Sequence, residues 1–324
     1  MQVLTVKNEK DFLELNKNDE LFKSGTAVAL GFFDGVHIAH RKLISEAVES
    51  AKKHSIPSVV LTFSASNTSF KADRARLLTD GEKLSELQTL GVDVTLVFDF
   101  DLIKDVDAES FIEKILVEIL NTKIAFCGYN FKFGKHALGD SALLERKMKA
   151  LGRNALVISE YKSGERAVSS SEIRNLLSEK KLHEASALLG KPFFIDGRVS
   201  RGLGLGKKLG FPTVNTDIES GKFTLPKGVY FTLVQISGTL YTGITNVGVC
   251  PTFDERETHA ETFIFDFNDN VYDEKIRIYF IDFIRDEIKF PSQKELIMQI
   301  NVDKTRALTL KEEIKWQKIG LSLQ

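Results

Sequence analysis

The hydrophobic pattern of the chain changes period near residue 190, and the change sets what can fold on either side of it. From residue 26 to about 160, short apolar runs alternate with stretches of helical spacing: TAVALGFF, ISEAVESAKKH, SVVLTF, EKLSELQTLG, DVTLVFDF, AESFIEKILVEIL and KIAFCGY. Strands that alternate with helices pair in parallel and are covered on both faces. An α/β, Rossmann-like domain is therefore expected, with its ligand site at the C-terminal ends of the strands. Residues 155–158 supply a further strand. Residues 169–177 and 181–189 read as two helices, the first entered through serine caps and the second stopped by Gly190 and Pro192. After Pro192 come short runs rich in Val, Ile, Phe, Tyr and Thr with glycine punctuation: FFIDGRVS, GVYFTLVQI, LYTGITNVG, ETFIFDF and KIRIYFIDFI. They predict an all-β barrel or sandwich with a hairpin turn at SGT. Helical period returns after Pro291 as a C-terminal cap. The change of period places the boundary at Leu189, giving domains 1–189 and 190–324.

A length of 324 residues gives each unit enough chain for its own core. Lys plus Arg at 44 nearly cancels Asp plus Glu at 45, so no global field gathers nucleic acid or anionic lipid, and any phosphate recognition must be local. No nucleic acid, membrane or obligate protein partner is implied. Cys127 and Cys250 lie far apart among apolar residues, as buried thiols in a reducing compartment would. No stretch approaches the roughly 18 uninterrupted apolar residues of a membrane span, and MQVLTVKNEKDFLEL lacks a signal pattern, so a cytoplasmic location is expected.

Two motifs carry chemistry. In GFFDGVHIAHRKLI, Gly31 and Gly35 permit a tight strand-to-helix turn and leave His37 and His40 three apart on the opening helical turn. Imidazoles beside the free N–H groups of a helix N-terminus suit a polyphosphate, with a surface histidine pair and a metal site as the other readings. The metal is disfavoured, because no cysteine or patterned third ligand lies nearby in sequence. In GRVSRGLGLGKKLGFPTVNTDI, the glycine-rich loop does not fit GxxxxGK[ST], although Lys207 and Lys208 could neutralise phosphates. Thr213 and Asn215 alternate in an extended segment, which puts two oxygen ligands suited to Mg²⁺ on one face. Glu261 reads alone as an outward strand carboxylate, and Arg285 as a surface ion pair with Asp286 and Glu287.

The chain resembles the nucleotidyltransferase superfamily with its HxGH signature, and more closely the bacterial bifunctional riboflavin kinase and FMN adenylyltransferase family. The resemblance rests on FFDGVHIAH, RLLTDGEK (76–83), GYNFKFGKHALGD (128–140) and VSSSEIRNLL (168–177), then GFPTVN, LPKGVY, NVGVCPTF, ETFIFDF and FIRDEIKF. It implies that the first domain adenylylates FMN to FAD with release of pyrophosphate. His37, His40, Ser170 and Arg174 would hold the ATP phosphates, with Gly31, Phe33 and Asp34 of the same motif on the nucleotide and Asn130 at the flavin. The second domain would phosphorylate riboflavin to FMN with ATP. There Thr213 and Asn215 would hold Mg²⁺, with Gly204, Gly206 and Lys207 on the nucleotide. Glu261 would accept the 5′-hydroxyl proton, and Phe253 and Arg285 would lie near the flavin. The two chemistries differ as the residues do: the phosphate of FMN is already an anionic nucleophile, whereas a primary alcohol needs a base. The chain departs from the family at Ala39, where glycine is usual, at Asn130, where aspartate is usual, and across TFSASNTSF (62–70), normally rich in proline and histidine. These departures imply a weakened first site, and as the alternative a monofunctional riboflavin kinase with a degenerate adenylyltransferase domain.

Overall fold

The central apolar runs of the first half become parallel strands buried on both faces, as near-continuous hydrophobicity requires. A computed structural model of the chain describes residues 1–17, 19–64, 75–200, 206, 209–249 and 258–313. It divides into two units, Met1–Ser169 and Ser170–Gln324. In the first, β1 (Gln2–Val6), β2 (Thr26–Leu30), β3 (Ser58–Ser64), β4 (Val94–Asp99), β5 (Thr122–Gly128) and β6 (Asn154–Ile158) form, among the described residues, a parallel sheet in the order β1-β4-β3-β2-β5-β6. β1 was not anticipated: QVLTV is short and mostly exposed, and becomes a strand by pairing in register with β4 from Gln2↔Val94 to Val6↔Phe98. β2 has β3 on one side and β5 on the other, so the chain winds away from it in both directions. The crevice at the C-terminal ends of β2 and β5 is the switch point where such sheets take ligands.

Helices α1 (Glu9–Lys17), α2 (Ile38–His54), α3 (Asp80–Thr89) and α4 (Ser141–Ala150) accompany the sheet. α2 buries Leu43, Ile44, Ala47, Val48 and Ala51, a stripe at three- and four-residue spacing, and stops where Ser55 turns left-handed. α3 opens on a capping box in which Thr79 accepts from the Glu82 amide and Glu82 accepts from the Thr79 amide. The expected helix AESFIEKILVEIL is π-helical over Phe111–Ile119, with the Leu120 amide reaching back to the Ile115 carbonyl at 3.0 Å. Its Ile112 and Leu116 join Val28, Leu61, Leu96 and Phe98 in the core, each such side chain contributing roughly 1.5–3 kcal/mol by leaving water. Cys127 of β5 is buried there, and burial pushes its thiol up to about 12; Cys250 lies outside the described residues.

The second unit begins with α5 (Ser170–Ser178) and α6 (Leu182–Leu189), the helix pair that the change of period had assigned to the first domain. α6 packs on the strands that follow, which is why the pair groups with them. Those strands, β7 (Phe193–Ser200), β8 (Thr213–Asp217), β9 (Gly228–Ile236), β10 (Thr239–Val249), β11 (Thr258–Ile264) and β12 (Lys275–Arg285), close among the described residues into an antiparallel barrel in the order β7-β8-β11-β10-β9-β12. The SGT hairpin is present. Ile236 pairs with Thr239 across Ser237 and Gly238, whose φ angles of 47° and 89° match the twist of the strands they join. Inside, Tyr230 meets Phe280 edge-on at 5.6 Å. The hydroxyls of Thr232, Thr245 and Thr262 form a fully buried chain at 2.8 and 2.9 Å. Strand alternation turns Thr213, Asn215, Asp217, His259 and Glu261 to the opposite, outer face. α7 (Gln293–Glu313) docks on this unit through Asp303, Ala307 and Leu310.

Candidate active sites

The first site is built on the turn between β2 and α2. Phe33 is left-handed (φ 55°, ψ 37°) and buried, and Gly35 follows at φ 83°, where a side chain would be strained. A Cβ on Gly31 would lie 2.9 Å from the Phe33 ring, so the chain can fold back over itself only with glycine there. Asp34 is buried, and its Oδ1 accepts from the amides of Leu77 (2.9 Å) and Leu78 (3.4 Å), which fastens the RLLTDGEK segment to the turn. His37 does not lie in the first helical turn as expected. It is the N-cap of α2, its Nδ1 accepting from the His40 amide at 3.3 Å. The two imidazoles stack at 3.5 Å and 15°, and the Phe33 ring meets His40 edge-on at 5.3 Å. A nitrogen that accepts carries no proton, so the neutral His37 ring holds its proton on Nε2 and is a donor there. Burial pushes its pKa down from 6.5 to about 4, which keeps it neutral at pH 7.

Asn130 is exposed at the tip of the turn that leaves β5, closed by the Phe131 amide on the Gly128 carbonyl at 3.0 Å. Because β5 adjoins β2, this turn and the Gly31–Val36 turn leave neighbouring strands at the same sheet edge. Ala39 is half-buried in the first turn of α2, a position any helix former can take. Of TFSASNTSF, residues 65–70 lie outside the described residues. Thr62 and Ser64 are tied in, Thr62 Oγ1 donating to the Phe32 carbonyl at 3.0 Å and Ser64 Oγ to Asp80 at 2.6 Å. Ser170 and Arg174 are half-buried one turn apart at the start of α5, in the second unit.

The second site lies on the outer face of the barrel. Thr213 Oγ1 donates to Glu261 Oε1 at 2.7 Å, and Glu261 is exposed. Asn215 stands directly across from Glu261 on β8, and Asn246 directly across on β10, so the carboxylate is flanked by two amides. Gly206 turns the loop back onto this face. Its carbonyl accepts from the amides of Leu209 (3.0 Å) and Phe211 (2.9 Å). A Cβ there would collide with the Phe211 carbonyl and come within 3.0 Å of Thr213 Oγ1. Gly204, Lys207, Lys208 and Phe253 lie outside the described residues. Thr213 commits its proton to Glu261, which leaves its oxygen lone pairs available, and Asn215 adds a carbonyl oxygen. This is a hard, neutral donor set that fits Mg²⁺, an ion that takes most of its remaining ligands from phosphates and water.

Arg285 does not pair with the neighbouring acids as the isolated sequence read. Its Nε and Nη2 form a fork on Asp303 of α7 at 2.9 and 2.8 Å, and Nη1 donates to the backbone carbonyl of Asp286 at 2.9 Å. Glu287 instead approaches Asn246 at 3.4 Å, and a Cβ on Gly248 would collide with it. Sequence reading passed over Asn246, which the alternation of TGITNVG puts on the polar face, and His259, whose Nδ1 contacts Asp217 at 2.9 Å two residues before Glu261.

Comparison with known proteins is consistent over both units. A family model for FAD synthetase matches residues 19–172 and one for riboflavin kinase matches 189–311, so the α5–α6 pair falls largely between them. A protein of Buchnera aphidicola is 35% identical over 88% of this chain and 94% of its own length. One of Haemophilus influenzae is 35% identical over 86% and 92%, and one of Bacillus subtilis 31% identical over 87% and 92%. All three are named bifunctional riboflavin kinase/FMN adenylyltransferase. A crystal structure from Streptococcus pneumoniae, described as a macrolide-efflux protein, superposes with a TM-score of 0.79 at 27% identity over 94% of this chain and 98% of that one. Among the described residues no helix here is long and apolar enough to cross a membrane.

Proposed function

The chain belongs to the family of bifunctional riboflavin kinase/FMN adenylyltransferases and carries both activities, and we propose that the barrel face around Glu261 forms FMN while the turn that ends in His37 forms FAD. The observation that carries the assignment is the Thr213–Glu261 hydrogen bond, because it presents one fixed carboxylate beside a magnesium-suited pair of oxygens. Thr213 occupies Oε1, which orients Oε2 to accept the proton of the riboflavin 5′-hydroxyl as that oxygen attacks the γ-phosphorus of ATP and ADP departs. Thr213 and Asn215 would hold Mg²⁺, which when bound supplies charge neutralisation at the phosphates. Gly204, Gly206 and Lys207 cradle the nucleotide. Phe253 and Arg285 would meet the flavin, and Asp303 orients Arg285.

In the first unit a phosphate oxygen of FMN attacks the α-phosphorus of ATP and pyrophosphate leaves. No base is needed, so the residues there act by position and charge. His37 donates from Nε2, His40 stacks beside it, and the N-terminus of α2 adds free amides. Gly31, Phe33 and Asp34 shape the nucleotide wall, and Asn130 meets the flavin. Functionally the chain divides at 1–189 and 190–324, since the serine-arginine motif serves adenylyl transfer. The enzyme works in the cytoplasm without an obligate partner. Incubation with riboflavin, ATP and Mg²⁺, followed by chromatography of the flavins, tests the reading. FMN should appear first and FAD after it. FMN alone, unconverted when supplied directly, would identify the first unit as degenerate.

A further inference from the structure

RLLTDGEK takes no part in the reactions just assigned, yet it ends in a lysine that is only 4% exposed. From α3, Lys83 Nζ reaches the C-terminal edge of the sheet and donates to the Phe63 carbonyl at 2.7 Å, with Thr62 Oγ1 at 3.4 Å. It lies 4.8 Å from the centre of the Phe32 ring and 3.7 Å from Asp80. Thr62 in turn donates to the Phe32 carbonyl, and two residues later Asp34 holds the amides of Leu77 and Leu78. The ammonium thus joins the end of β3 to the turn that leads into His37. The charged groups that act on it are Asp80 of its own helix, Asp34 from the turn after β2, and Arg76 from the segment before α3; β3 presents only a carbonyl and a hydroxyl. Burying an ammonium carries a desolvation cost that an apolar side chain of the same length would avoid, so a fold served by packing alone has no need of lysine here.

We propose that Lys83 is a positioning residue for adenylyl transfer, its ammonium fixing the Phe32–Asp34 turn so that His37 is set at the entrance of α2. The proposal rests on the reading of the first site given above. Burial, against the pull of Asp80 and Asp34, brings the Lys83 pKa down from 10.5 to about 8, so the ammonium is present at pH 7 and is lost within a measurable range.

The test is the rate of FAD formation from supplied FMN and ATP between about pH 6.5 and about pH 9.5, with riboflavin phosphorylation by the same preparation as the internal reference. For the wild-type chain, kcat for FAD formation should fall about tenfold per pH unit above the pKa, while kcat for FMN formation does not follow. Lys83→Met should lower kcat at pH 7 by about 10- to 100-fold, leave KM for ATP and FMN within about threefold, and flatten the alkaline limb. Lys83→Arg, which stays charged throughout, should also lose the limb, and serves if the methionine variant does not fold. A flat wild-type profile, a methionine variant with wild-type kcat, or an alkaline limb that persists in either variant overturns the proposal. FAD formation with a flat profile would strike Lys83 alone, whereas no FAD at any pH would strike the first-site reading on which it rests.

Discussion

His37 and Glu261 have opposite dealings with protons. Glu261 is exposed and held at one oxygen by Thr213, and as the proposed base it would take a proton from its substrate. Glu261→Gln keeps the shape and a partner for Thr213 but removes the base; FMN formation should drop by about 10²- to 10⁴-fold while FAD formation from supplied FMN is unchanged, as flavin chromatography would read. His37 is buried and must stay neutral to cap α2 through Nδ1 and donate from Nε2. Its pKa of about 4 lies below the ordinary 6.5, so between these values the unfolded chain binds the proton that the folded chain refuses. The contribution is complete above pH 6.5 and is lost as the pH falls to about 4, reaching roughly 3 kcal/mol. Urea denaturation of wild type and His37→Asn at about pH 7.5 and about pH 5 should show the wild type losing more stability on acidification, because asparagine caps the helix without titrating. Equal losses would mean that His37 is charged in the folded chain.

The elements that position these residues differ in how openly the sequence announces them. β2 through β6 are near-continuous apolar runs, and the barrel strands are runs rich in Val, Ile, Phe and Tyr between glycines, so both patterns could be read directly. β1 could not, because its five residues are mostly exposed and acquire strand character only by pairing with β4. The π-helical winding of Phe111–Ile119 leaves no mark on the apolar spacing, which a helix of either pitch satisfies. The α5–α6 pair has helical period, but period says nothing about which core it packs on. Within the sites, the shared face of Thr213 and Asn215 was legible from alternation, which by itself made Glu261 no more than an outward strand carboxylate, whereas the Arg285–Asp303 fork joins residues that only the folded barrel brings together. Asp303 is 1% exposed, so Asp303→Asn leaves a guanidinium without its charge partner; the second unit should lose about 3 kcal/mol by urea denaturation, and α7 should become sensitive to proteolysis. Gly206→Ala forces the loop away from the Phe211 carbonyl and Thr213, and should raise KM for ATP in the kinase reaction by about tenfold or more without changing FAD formation.

At the scale of the whole molecule, the product of one activity is the substrate of the other, and the residues proposed for the two do not overlap: a base and a metal-suited pair in the barrel, neutral and cationic donors for adenylyl transfer. Each unit has its own core, one built on a parallel sheet and one on a closed barrel, so a point substitution in one site leaves the packing of the other intact. If FMN passes between the sites through solution, two chains disabled at opposite sites should complement each other. Glu261→Gln alone, given riboflavin and ATP with Mg²⁺, should make flavin nucleotide at least about 10²-fold more slowly than the wild type. His40→Ala alone should stop at FMN. An equimolar mixture should make FAD after a lag, and the lag should shorten in proportion as the Glu261→Gln chain is raised, because that chain sets the rate at which free FMN is consumed. A mixture that makes no FAD and forms FMN only up to one per His40→Ala chain, while the Glu261→Gln chain converts supplied FMN, would show instead that FMN made by the barrel is not released to other molecules, and that transfer occurs within one chain or one assembly.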